Sequence, residues 1–76
     1  MITVKLFGLL RIESGIKERE IEATSVKEVL LSLEKAGISK KDLSSCVILV
    51  DGQPATKRTK LHDGNTVVLM SPVAGG

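Results

Sequence analysis

The chain has 76 residues, 42% hydrophobic and 26% charged, with a formal net charge of +2. That length holds one domain and no second core, the composition is that of a folded protein, and the charge is far from the single-sign field of nucleic-acid or polybasic membrane binders. One cysteine excludes an intramolecular disulfide, one aromatic residue excludes a base-stacking platform, and the apolar start MITVKLFGLLRI, broken by Lys5 and Arg11, matches neither a membrane span nor a signal peptide.

Residues 2–7 alternate, with Ile2, Val4 and Leu6 on one face and Thr3, Lys5 and Phe7 on the other, the period-two pattern of a half-buried strand. Ser14-Gly15 marks a turn, and residues 17–23 read as a second, charged strand with Ile21 and Ala23 on one face, pairing with the first as a hairpin. Ile16 has the wrong parity for that face, which leaves either a bulge or a place in the turn. Ser25-Val26-Lys27-Glu28 is a capping box, in which the Ser25 hydroxyl accepts from the Glu28 amide and Glu28 reaches back to the Ser25 amide.

The helix it opens runs over 26–36, with Val26, Val29, Leu30 and Leu33 as one stripe and Gly37 where a left-handed cap is wanted. Residues 39–44 allow at most a turn of helix. Residues 46–50 read as a buried strand, Asp51-Gly52 as a tight turn, and Pro54 as the mark of a sheet edge; Asp63-Gly64 then introduces a last strand over 66–70. One amphipathic helix covers only one face of a small sheet, so the architecture is two-layer α+β, a mixed sheet of four to five strands with one helix on one face. If Val67 and Leu69 point inward, Phe7, Val68 and Met70 lie on the uncovered face, as a partner-binding patch.

Other chemistry-bearing residues are isolated. Cys46 lies outside any CxxC pair and reads as a small core residue, while His62 has no second ligand near it, so no metal site is expected. His62 and Asp63 point apart on an extended chain and read as a surface turn. Lys57, Arg58 and Lys60 read as a solvated edge that resists strand addition.

The tail is the most informative segment. After Met70 the chain runs Ser71-Pro72-Val73-Ala74-Gly75-Gly76, which divides the sequence into a domain over 1–70 and a flexible arm over 71–76. Without Cβ atoms, a terminal Gly-Gly threads a narrow channel and presents its carboxylate to a reaction centre that a bulkier residue would block. A carboxylate must be activated before it reacts as an acyl donor. The chain has no phosphate-cradling glycine loop of its own, so the activating enzyme is a partner.

Leu6-Phe7, Leu10-Arg11, the run Leu61-x-Asp63-Gly64-x-x-Val67 and the end Pro72-Val73-Ala74-Gly75-Gly76, together with the helix-over-sheet order, resemble the MoaD/ThiS family of ubiquitin-like, β-grasp sulfur carriers, most closely the small subunits of molybdopterin synthase. Ser71 departs from the family, where two consecutive prolines are common; the departure implies a looser tail and unchanged chemistry. The resemblance implies that an E1-like adenylyltransferase uses ATP to adenylate the Gly76 carboxylate, that sulfur replaces the adenylate to give a thiocarboxylate, and that the tail enters the large subunit of molybdopterin synthase to pass sulfur to precursor Z. The assembled complex would be a heterotetramer. Gly75 and Gly76 would carry the function, and Phe7, Val68, Met70, Pro72, Val73 and Ala74 would meet the partner. No side chain would be catalytic, no cofactor would stay bound, and the location would be cytoplasmic, with no nucleic acid or membrane involved. A carrier for thiamin thiazole synthesis, a modifier joined to lysines through Gly76, and a binding module with an inert tail are the alternatives.

Overall fold

The alternation over Ile2–Phe7 produces β1, and the five-residue run Thr66–Met70 produces β5 beside it. Between them the chain forms α1 (Leu9–Ser14), β2 (Glu18–Ile21), α2 (Val26–Lys35), α3 (Lys40–Ser44), β3 (Val47–Val50) and β4 (Gln53–Pro54). The computed structural model describes residues 1–71. The five strands are ordered β2-β1-β5-β3-β4, with β1 and β5 parallel at the centre and the other pairs antiparallel.

Strand partners share a face, so register alone sorts the side chains. Val4 pairs with Val67 and Val67 with Val50; Leu6 pairs with Leu69 and Leu69 with Ile48; Ile2 pairs with Ile21. This is the face that α2 covers. Val26, Val29 and Leu33 of the helix stripe are fully buried against it, with Val4, Val67 and Leu69 equally sealed and Leu10, Ile38, Leu43 and Leu61 closing the margins. Burying one such aliphatic side chain contributes about 1.5–3 kcal/mol, so these few residues supply most of the driving force available to a chain this short.

Both ends of α2 follow local rules. Ser25 accepts from the Glu28 N–H at 3.3 Å as anticipated, but the Glu28 carboxylate bonds the Thr24 N–H at 2.8 Å and the Thr24 hydroxyl at 3.0 Å, not the Ser25 amide. The backbone on either side of Ser25 is bridged to the segment around Lys60, the Leu61 N–H bonding the Thr24 carbonyl at 2.9 Å and the Val26 N–H that of Thr59 at 3.0 Å. At the other end the Gly37 N–H bonds the Glu34 carbonyl at 3.0 Å and the Ile38 N–H bonds the Leu33 carbonyl at 3.1 Å, a Schellman motif whose glycine has φ 108°.

The Thr24 hydrogen bonds, backbone first, hold the Glu28 carboxyl below its ordinary pKa. A lowered folded-state value means that the unfolded chain binds more protons just below the ordinary value of about 4.3, so this cap's contribution is complete above that pH and is lost as pH falls through the folded value. Glu28→Gln is therefore expected to flatten the acid limb of stability, with a smaller shift in urea midpoint between pH 5 and pH 3 than wild type. Parallel limbs would contradict the capping role.

Several sequence expectations are corrected. Among the described residues there are three helices instead of one: α3 fills the stretch where at most a turn was allowed, and α1 is too short for its periodicity to be seen. The Leu10-Arg11 segment, between the two expected strands, lies inside α1. The second strand stops at Ile21 and does not reach Ala23, and Ile16 belongs to the connection before it, where it packs against the core. β3 begins at Val47 rather than Cys46 and is not a buried strand: Val47 is exposed and its other residues are half-buried. Its run Val47-Ile48-Leu49-Val50 has no polar alternation to reveal the open face. β4 is the expected edge, and β5 has the bounds expected of it.

Candidate functional site

The face of the sheet turned away from α2 is covered by no element among the described residues. Its outermost row is Phe7, Met70 and Val47, joined by the pairings Phe7 with Met70 and Val47 with Met70. They are 39%, 43% and 52% exposed, high values for large apolar side chains. The next row holds Lys5, Val68 and Leu49, and Pro54 extends it at the edge through its pairing with Leu49. The patch thus crosses the three middle strands at the end where β1 and β5 both terminate.

Phe7, Val68 and Met70, singled out from sequence, are brought together here. Val47 and Leu49 were missed, because their run had been read as buried on both sides. Pro72, Val73, Ala74, Gly75 and Gly76 lie outside the described residues.

Ser71 was read as the first residue of the arm, yet it is buried, with 6% of its surface exposed. Its N–H donates to the Phe7 carbonyl at 3.4 Å, and its hydroxyl accepts from the Leu10 N–H at 3.0 Å. The helix it touches has Gly8 as N-cap, with no side chain to satisfy the first-turn amides, so Ser71 supplies that acceptor from 61 residues away in sequence. The hydroxyl and amide tie this position to the body.

The patch offers shape and apolar area, and Lys5 is the titratable side chain in its two rows. Cys46 is half-buried, its thiol donates to the Leu43 carbonyl at 3.0 Å, and burial pushes its pKa up, which disfavours the reactive thiolate. His62 and Asp63 are exposed; the His62 N–H bonds Asn65, and Asp63 pairs with the N-terminal ammonium of Met1. Among the described residues no group of three or more His, Cys, Asp or Glu is placed to hold a metal ion, and no helix is long and apolar enough to cross a membrane. Lys57, Arg58 and Lys60 flank the first turn of α2 rather than forming a strand edge, since the Lys27 N–H bonds the Lys57 carbonyl at 3.1 Å and the Val26 N–H bonds that of Thr59 at 3.0 Å. An exposed apolar patch of this kind suits contact with another protein.

A helix laid across one face of a mixed sheet whose first and last strands run parallel at the centre defines a ubiquitin-like, β-grasp protein. The ThiS family model matches residues 4–76, and the chain belongs to this family of ubiquitin-like sulfur carriers. Among solved structures it is similar to the complex of subunits 1 and 2 of the molybdopterin-converting factor from Helicobacter pylori 26695, at 28% identity and a TM-score of 0.74, over 99% of this chain and 97% of that one. It is also similar to small archaeal modifier protein 1 of Methanosarcina acetivorans, at 29% identity and a TM-score of 0.77, over 99% and 95% of the two chains. A third likeness is to the BexX/CysO complex of Amycolatopsis orientalis, at 25% identity and a TM-score of 0.77 over 100% of both chains. No curated protein sequence matches significantly.

Proposed function

We propose that this chain is the small subunit of a molybdopterin synthase, a carrier whose Gly76 carboxylate is loaded with sulfur and unloaded by partner enzymes. An E1-like adenylyltransferase joins the carboxylate to the α-phosphate of ATP with loss of pyrophosphate. A sulfur nucleophile then displaces AMP, leaving a thiocarboxylate. This group is softer and more nucleophilic than a carboxylate, which suits it to deliver sulfur to precursor Z inside the large subunit, for a molybdenum or tungsten cofactor.

The observation that carries the reading is the position of the apolar row Phe7, Met70 and Val47 at the end of β5, directly before the segment that leads to Gly75-Gly76. Docking by that row brings the C-terminus to the partner, and the family match that extends to residue 76 and the likeness to a subunit solved with its companion subunit support this use. The likeness to an archaeal modifier protein favours one second reading, conjugation to lysines through Gly76.

Incubation with ATP, an E1-like enzyme and a sulfur source is expected to raise the intact mass by one oxygen-to-sulfur exchange, and deletion of Gly76 is expected to abolish it. An unchanged mass with an enzyme active on its own carrier would refute the carrier reading. Higher-mass adducts carrying a Gly-Gly remnant on lysine would favour the modifier instead.

A further inference from the structure

We infer that Ser71 is a latch that fixes the root of the C-terminal segment to the docking patch and so sets how far the Gly76 carboxylate reaches; this rests on the carrier reading above. Ser71 is held on three sides. Its N–H bonds the carbonyl of Phe7, the residue whose side chain stands in the patch, and its hydroxyl bonds the buried Leu10 N–H at 3.0 Å. Its carbonyl lies against Gly8 so closely that a Cβ there would sit 2.6 Å away. Root and patch therefore share Phe7 and move as one body.

With the latch closed, five residues follow Ser71 up to Gly76, and five residues at 3.3–3.6 Å each span at most about 18 Å. A partner that seats the patch must place its reactive centre within that radius of Ser71. With the latch open the chain pivots from Met70, the reach lengthens by about 3.5 Å, and the terminus spreads over a larger volume. Only the latched fraction then presents the carboxylate at the right place, so opening raises the apparent dissociation constant in inverse proportion to the closed fraction that remains and leaves the chemical step untouched. Ser71 is a positioning residue in this account, not a catalytic one.

The test uses the full chain with an E1-like enzyme and ATP, following adenylation at varied carrier concentration for wild type, Ser71→Ala and Ser71→Thr. Losing the hydroxyl is expected to raise KM about fivefold, the worth of one net hydrogen bond, with kcat within about twofold, and Thr is expected to restore KM. Hydrogen exchange at the Leu10 amide is expected to accelerate in Ser71→Ala and not in Ser71→Thr, and denaturant midpoints show that each variant is folded under assay conditions. An unchanged KM in Ser71→Ala, a fall confined to kcat, unaltered exchange at Leu10, or a Thr variant as impaired as Ala would each overturn the latch. If wild type itself is not adenylated, the carrier reading fails, and with it the tether-length argument, while the exchange result still judges the contact.

Discussion

Gly8→Ala is expected to cost about 3 kcal/mol or more of stability. Gly8 has φ 69° and ψ −144°, close to a region that only glycine populates readily. An added Cβ would also lie 2.6 Å from the Ser71 carbonyl oxygen and 3.0 Å from its hydroxyl oxygen, and the backbone oxygen has no rotamer through which to yield. Strain of about 1–3 kcal/mol and overpacking of a similar size add together here. For a domain whose total stability is about 4–11 kcal/mol, thermal unfolding should shift down by roughly 15 °C. Gly15→Ala supplies the control, because Gly15 has φ 73° but nothing within 4 Å of its missing Cβ. That variant should lose only the left-handed penalty of about 1–2 kcal/mol. Equal midpoints for the two variants would show that the contact with Ser71 is unimportant.

Replacing Met70 or Phe7 by Glu should weaken binding to the large subunit or the E1-like enzyme by at least about thirtyfold, without a comparable loss of folding stability. Both side chains are partly exposed on a face that no other element among the described residues covers, so an added charge remains hydrated in the free protein, where surface changes stay near about 0.5 kcal/mol. In a complex the same charge would be buried without a partner. Leu31→Glu discriminates a specific surface from general stickiness. Leu31 is as exposed, at 47%, but sits on α2, on the other side of the molecule. Calorimetric titration should find it binding like wild type; equal losses in all three variants would reject the sheet face as the docking surface.

These two predictions separate what the fold needs from what a partner needs, and the sequence reveals the two unequally. The patterns that survive translation into structure are the local ones. Alternation in β1, the stripe Val26, Val29, Leu30 and Leu33, the Ser25 cap and the Gly37 stop each depend on neighbours a few residues away. The terminal Pro72-Val73-Ala74-Gly75-Gly76 was legible in the same sense, and the family match includes it.

What escaped was whatever depends on residues distant in sequence. Val47 and Leu49 look like core in an unbroken apolar run, and only pairing with Met70 and Val68 assigns them to the open face. The six residues of α1 carry too little periodicity to be noticed, and their first turn is capped from Ser71, a partner no local rule can nominate. The sequence by itself determined the α+β class and the face of each residue in β1, since backbone periodicity and side-chain type suffice for those. Tertiary structure alone decided which apolar residues form the exposed row and how Ser71 is held, because a hydrogen bond or a strand register between positions 61 residues apart exists only once the chain has closed on itself.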